Sequence, residues 1–260
     1  MSFLFFFFLC TSMSNTLTDR SFWSNYWESK SGLAFPVGRN YLFHQQLSGI
    51  IAENHPQNAI ELGGFPGYYA IFLKKHFNIN STLLDYFVHP GILKDVLHAN
   101  NLSSGDIRVI EADLFNYESS QQYDLVLSCG LIEHFHDTKD IIARHLSLLK
   151  PGGQLFITLP NFRGVNGWVQ KKFDPENYEK HNINSMDIDL LRSIANELEL
   201  KDIKADYFGG FSLWLENKDQ VSPFIRAFLK SLWLAGKVLT KTLRFESKQL
   251  SPYIILQARK

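Results

Sequence analysis

The chain has 260 residues, with 26 Lys and Arg against 26 Asp and Glu and a hydrophobic content of 45%. That composition excludes a disordered chain, and the zero formal net charge argues against a general nucleic-acid binder, which carries a basic excess or patch. Two cysteines, Cys10 and Cys129, supply neither a disulfide framework nor a zinc site, so no metal is expected and a reducing cytoplasm is the simplest setting.

Residues 1–18 read as an apolar or disordered tail. Within it, Phe3 to Leu9 form an apolar run far too short to span a bilayer. The run lacks the positive flank and the cleavage site of a signal peptide. A start at Met13, a sticky tail and a weak membrane-surface anchor are the three readings, the first being favoured. Residues 19–30 then place Phe22, Trp23, Tyr26 and Trp27 at helical spacing with one aromatic face. This predicts a lid helix packed on the core; the sharper reading is that part of its face lines a substrate pocket. After a turn at Phe35-Pro36-Val37-Gly38, residues 40–53 read as a helix.

A regular alternation follows. Strands are expected at 58–62, 81–86, 107–111, 123–128 and 154–159, with helices near 67–77, 90–100 and 138–149. Asp137 is the expected N-cap of the last of these, and Pro151-Gly152-Gly153 a hairpin-like break after it. Five strands joined by crossovers mean a parallel sheet covered on both faces. Its ligands sit beyond the carboxyl ends of the strands. That singles out Gly63, Asp85, Asp113, Cys129-Gly130 and Pro160-Asn161. The first strand matters most, because it runs through Glu61 into Gly63-Gly64-Phe65-Pro66-Gly67. Glycines there permit close approach of a ligand to the backbone, and the helix that opens at the turn favours a negative group. Glu61 could bind an ammonium or hydroxyl group at the same mouth.

Residues 161–183 read as a long polar and aromatic loop at the ligand end of the sheet. A helix at 186–199, a strand at 200–208, an amphipathic helix at 222–243 and a strand at 251–258 complete the chain. No internal repeat or low-complexity linker is visible, so one domain is expected.

The series resembles the S-adenosylmethionine-dependent methyltransferases with a Rossmann-like fold. Four stretches carry the resemblance: Glu61 to Gly67; Asp85 at the end of the second strand; Glu111-Ala112-Asp113-Leu114-Phe115; and Tyr123 to Val126 through Leu131-Ile132-Glu133-His134-Phe135 to Leu148-Leu149-Lys150-Pro151-Gly152-Gly153. The resemblance implies an α/β fold with a seven-stranded, mostly parallel sheet, helices on both faces, an antiparallel last strand and an N-terminal helical cap. The implied division is a cap at 19–56, a cofactor-binding half at 57–160, and a substrate loop with the C-terminal half at 161–260. It also implies S-adenosyl-L-methionine as cofactor, held by Glu61, Gly63, Gly64, Gly67, Asp85 (on the ribose hydroxyls), Asp113 (on the adenine amino group), Leu114, Cys129 and Gly130. Phe65 departs from the pattern, standing where the family usually has glycine.

The implied reaction is methyl transfer to a small- or medium-sized acceptor by in-line displacement, with alignment of the reactants as the main source of rate. If the acceptor must lose a proton, His134, His181 and His136 are the candidate bases, in that order, because His titrates near neutrality. Cys129 reads as a packed small residue, not a nucleophile. A nicotinamide-dependent oxidoreductase would need a Gly-x-Gly-x-x-Gly turn, which is absent here. The remaining alternative is a non-catalytic methyltransferase-like scaffold that docks to a membrane or partner through 222–243, where cationic and apolar faces share one helix.

Overall fold

The computed structural model describes residues 15–217, 219, 221–243 and 246–260. The apolar run at 3–9 and Cys10 therefore lie outside the described residues. The elements in chain order are α1 (Arg20–Glu28), α2 (His44–Asn54), β1 (Asn58–Leu62), α3 (Tyr68–Phe77), β2 (Asn80–Asp85), α4 (Pro90–Ala99), β3 (Arg108–Glu111) and β4 (Tyr123–Cys129). A 3-10 turn (Ile132–His134) leads to α5 (Thr138–Ser147) and β5 (Leu149–Pro160). Then come α6 (Val165–Phe173), α7 (Pro175–Glu179), α8 (Ile188–Glu197), β6 (Lys201–Phe208), α9 (Pro223–Leu243) and β7 (Tyr253–Arg259).

The strands form one seven-stranded sheet in the order β3-β2-β1-β4-β5-β7-β6. β7 runs antiparallel to both neighbours, and the other pairings are parallel. This is the predicted Rossmann-like arrangement with an antiparallel last strand. Alternation along the strands divides the core in two. Ile60, Leu84, Val126, Leu155 and Ile157 face α5 and α8, whereas Ala59, Leu83, Leu125, Leu127 and Phe156 face α2, α3 and α4. Near-continuous apolar strands are what a sheet buried on both faces requires.

Local signals set the helix starts. Asp137 accepts the N–H groups of Lys139 and Asp140 at the head of α5, as expected, and Asp187 does the same for Asp189 and Leu190 at α8. Each cap contributes about 1 kcal/mol.

Two expectations give way. Pro151-Gly152-Gly153 is no break but an irregularity inside β5, where the register against β4 shifts between Tyr123 and Leu125. Gly153 lies so close to the carbonyls of Lys150 and Asp124 that a Cβ would be 3.0 and 3.1 Å from them. The stretch 161–183 is not a loop either; it holds α6 and α7. Its polar residues stitch short helices together: Asn177 Nδ2 donates to Gln170 Oε1 at 2.9 Å, and Asp174 accepts the backbone N–H groups of Glu216 and Asn217. Polar content that reads as solvated loop is spent on internal hydrogen bonds.

α9 packs on a small cluster through Leu229, against Val169, Leu215 and Val221. Phe224 and Phe228 point outward, at 84% and 52% exposure. Among the described residues no helix is long and apolar enough to cross a membrane.

Candidate functional site

The site lies where the sheet order reverses, between β1 and β4. After β1, the Gly63 N–H donates to Leu84 O of β2 at 2.8 Å. After β4, the Gly130 N–H donates to Thr158 O of β5 at 2.8 Å. The two turns thus peel away from each other and open a crevice at the topological switch. Both glycines have positive φ, 58° and 76°, and both line the crevice. A side chain at Gly63 would run into Leu131, and one at Gly64 into the Glu61 carboxylate.

Two cavities share this crevice. The smaller, about 150 Å³, is lined by Asp85, Tyr86, Asp113, Leu114, Leu131 and Phe135. The larger, about 390 Å³, is rich in aromatic side chains and includes Glu61, Cys129, Glu133, Lys180 and His181. Trp23, Trp27, Gly63, Gly130 and His134 line both.

The predicted residues divide between these walls. Asp85 is buried at the end of β2; its Oδ2 accepts the N–H of Phe65 at 2.8 Å and its Oδ1 that of Phe87 at 3.0 Å. Burial raises its pKa to about 6, opposed by those backbone donors. Glu61 turns under Gly64 to the head of α3, where Oε2 accepts the Ala70 N–H at 2.7 Å. Burial raises its pKa to about 8. Asp113 uses Oδ1 for the Phe115 N–H at 2.9 Å and Oδ2 for Asn116 Nδ2 at 2.7 Å, so it shapes its own turn while lining the smaller cavity beside Leu114. Gly67, at φ 92°, closes the turn by donating to Gly64 O at 2.7 Å but lines neither cavity, unlike its neighbours Phe65, Pro66 and Tyr68. Cys129 lies on the floor of the larger cavity with its thiol pKa pushed up by burial, which keeps it protonated. Phe65 does not clear the site. Its ring is buried against Trp27, at 5.2 Å between centroids, and forms part of the wall.

The histidines separate clearly. His134 and His181 meet across the larger cavity, with ring centroids 4.8 Å apart. His134 Nδ1 donates to Lys180 O at 3.0 Å and His181 Nδ1 to Asn177 O at 2.6 Å; a carbonyl only accepts, so each Nδ1 carries the proton. Burial lowers the pKa of His134 to about 3 and lowers that of His181 as well. His136 is exposed and lines neither cavity.

Sequence reasoning passed over two features. Glu133 was part of a motif but had no role; it is 1% exposed, and among the described residues its Oε2 has no hydrogen-bond partner. A carboxylate adjacent to a candidate His after the fourth strand was the available signal. The second feature is the fastening of α1. Leu17 N–H donates to His134 O at 2.8 Å, Arg20 pairs with Glu111, and Arg20 Nε donates to Tyr86 O at 3.3 Å. Phe22, Trp23, Tyr26 and Trp27 all line the larger cavity, so the predicted lid helix is a wall of the site.

Residues 39–205 match the family described as a methyltransferase domain. No curated protein sequence matches the chain. Among solved structures, the chain is similar to an S-adenosylmethionine-dependent methyltransferase from Archaeoglobus fulgidus, with 16% identity, 84% of this chain and 91% of that one covered, and a TM-score of 0.55. It is also similar to the N-methyltransferase NodS from Bradyrhizobium japonicum WM9 in complex with S-adenosyl-L-homocysteine, with 14% identity, 94% of each chain covered and a TM-score of 0.52. A third is phosphoethanolamine N-methyltransferase 2 of Haemonchus contortus in complex with S-adenosyl-L-methionine, with 18% identity and a TM-score of 0.55; 83% of this chain matches 52% of that one.

Proposed function

The chain belongs to the methyltransferase-domain family of S-adenosylmethionine-dependent enzymes, and we propose that it transfers a methyl group to a small- or medium-sized, partly apolar acceptor by in-line displacement. The observation that carries this reading is the pair of glycine turns at Gly63 and Gly130, which open one crevice between an acid-lined cavity and an aromatic one.

The residues present fit the cofactor. Gly130 leaves room beside the crevice that a side chain would take, while Gly63 and Gly64 let Leu131 and the Glu61 carboxyl pack against the turn. Asp85 and Asp113 line the smaller cavity and retain lone pairs for the ribose hydroxyls and the adenine amino group. Leu114 adds an apolar wall there, Glu61 and Cys129 line the larger cavity and would hold the amino-acid end, and Gly67 closes the turn between β1 and α3. When bound, the cofactor supplies an electrophilic methyl group on a sulfonium.

The rest of the reaction falls to the protein. Trp23 and Trp27 cover the crevice and exclude water. His134 and His181 line the larger cavity with unprotonated Nε2 lone pairs. Because burial depresses their proton affinity, they orient an acceptor better than they deprotonate one. Alignment is thus the main contribution. The test is calorimetric titration with S-adenosylmethionine and S-adenosylhomocysteine, with Asp85→Ala in parallel. Micromolar binding lost in the variant supports the reading, and no binding at millimolar ligand removes it.

A second reading has its own support in α9. Phe224, Phe228, Leu234 and Leu239 are exposed on a helix that also carries Arg226, Lys230, Lys237 and Lys241. That combination suits a weak membrane-surface contact, with or without catalysis. Flotation with anionic liposomes tests it, and a chain that stays entirely in the bottom fraction removes it.

A further inference from the structure

We propose that Glu133, His134 and His181 form a binding site for a divalent first-row transition cation in the floor of the larger cavity. The sequence predicts no metal, because its two cysteines supply no zinc site. The fold supplies the missing ligand from a distance, bringing His181, just beyond α7, to the pair that follows β4.

Several observations converge. One donor atom from each of the three residues lies within 4.8 Å of the other two. Glu133 Oε2 is fully enclosed and, among the described residues, has no hydrogen-bond partner. A buried carboxyl oxygen left without a partner is costly, and a polar atom retained in that state points to a ligand. Both imidazoles are held by backbone carbonyls at Nδ1, which fixes the tautomer and leaves Nε2 as the lone-pair nitrogen. Metal-binding histidines are oriented in this way by outer-sphere carbonyls.

The scaffold around the cluster is braced. Asn182 N–H donates to Glu133 O at 2.6 Å, and Asn182 Nδ2 donates to Phe135 O and His136 O, both at 3.0 Å. These bonds zip the segment carrying His181 onto the segment carrying Glu133 and His134. Trp23 packs its edge on His134 at 5.1 Å.

The donor set selects the ion. Two neutral imidazoles and one carboxylate suit zinc, cobalt, iron or manganese and disfavour calcium and magnesium, which take mostly oxygen. Donors about 2.1 Å from such an ion lie roughly 3.0–3.4 Å from one another, so the three side chains would close by about 1.5 Å through χ rotation. Three protein ligands leave coordination positions open to the cavity, as catalytic sites do. An oxygen or nitrogen of the acceptor would fill one of them. That role rests on the proposed function, whereas ion binding itself does not.

The test uses the full chain, stripped with a chelator and titrated with Co²⁺ by visible absorption and with Zn²⁺ by calorimetry. One equivalent is expected to bind with the d–d bands of a nitrogen- and oxygen-ligated cobalt. Glu133→Gln and His181→Asn are each expected to weaken binding by tenfold or more, and His136→Ala to leave it unchanged. Titration of every variant with S-adenosylhomocysteine reports that the cofactor crevice is intact. Absence of stoichiometric binding in the stripped wild type, or equal binding in both ligand variants, overturns the site. Loss of S-adenosylhomocysteine binding in the wild type would instead count against the cofactor reading.

Discussion

The backbone N–H of Phe65 donates to Asp85 Oδ2 at 2.8 Å, so the acid that ends β2 also holds the glycine-rich turn that follows β1. Asp85 therefore has two jobs: bracing the turn and, by the proposed function, meeting the ribose. Asp85→Ala should lose both. A charge-assisted hydrogen bond is worth about 1.5–3 kcal/mol, so S-adenosylhomocysteine affinity should fall by roughly 10- to 100-fold, read by calorimetry. Asp85→Asn keeps an acceptor for one backbone N–H and should be milder in stability than in affinity.

The same residue predicts a pH dependence. Burial raises the Asp85 pKa to about 6 from an ordinary 3.8. The folded chain therefore holds this proton more tightly than the unfolded one. Its stabilising contribution is complete below pH 3.8 and is lost as pH rises through about 6. At about 1.4 kcal/mol per tenfold change in proton affinity, the loss is of order 3 kcal/mol. The difference in Tm between wild type and Asp85→Asn, followed from pH 4 to 7 without cofactor, should move in favour of Asn. A constant difference would show that Asp85 does not titrate in that range.

Most of the frame was legible in the sequence because apolar alternation and glycine turns are local signals. β1, its glycines and the acids after β2 and β3 lie where the pattern put them. Contacts that join distant segments were not legible. Nothing in Glu133 or His181 taken alone announces that Asn182 zips their segments together. The helices α6 and α7 were hidden for a related reason: Gln170, Asp174 and Asn177 resemble loop residues until their partners are known. Phe65 is a third instance. A Phe at a glycine position reads as an obstruction, yet its ring has a place against Trp27.

That contact makes the lid testable. Trp27 meets Phe65 edge to face, and Trp23 meets His134 in the same way at 5.1 Å. Such pairs add about 0.5–1.5 kcal/mol beyond the area they bury. Trp27→Ala should weaken S-adenosylhomocysteine binding by roughly 3- to 10-fold for each contact of that size lost. It should also speed cofactor release, measured by stopped-flow. Unchanged affinity and release would mean that α1 covers the crevice without closing it.

Glycine substitutions test the crevice itself. Gly63 has φ 58° and no room for a Cβ beside Leu131, so Gly63→Ala meets both backbone strain and a clash. Gly130 has φ 76° but room for a Cβ, which would meet Glu133 Oε1 at an ordinary contact distance of 3.5 Å. Gly130→Ala should therefore fold with a penalty of about 1–2 kcal/mol, the cost of an L side chain in the left-handed region, while its methyl group intrudes on the cavity. The expected result is a modest Tm loss at Gly130 with a disproportionate loss of cofactor affinity, against a large loss of both at Gly63. Equal affinity in Gly130→Ala and wild type would show that the cofactor does not pass over the β4 turn.

The last prediction concerns His134, which lines both cavities and holds its proton on Nδ1 through Lys180 O. Its proton affinity is far below neutrality, so it stays an uncharged lone-pair donor throughout the physiological range. Removing it should disturb the acceptor more than the cofactor. With an acceptor in hand, His134→Ala should lower kcat by roughly 10- to 100-fold, the size of a positioning defect. S-adenosylhomocysteine affinity should stay within about threefold, or 0.6 kcal/mol. The kcat profile between pH 5 and 8 should keep its shape, because a group that stays neutral contributes no inflection there. An inflection that vanishes in the variant would identify His134 as a titrating base after all, and unchanged turnover would take it out of the reaction.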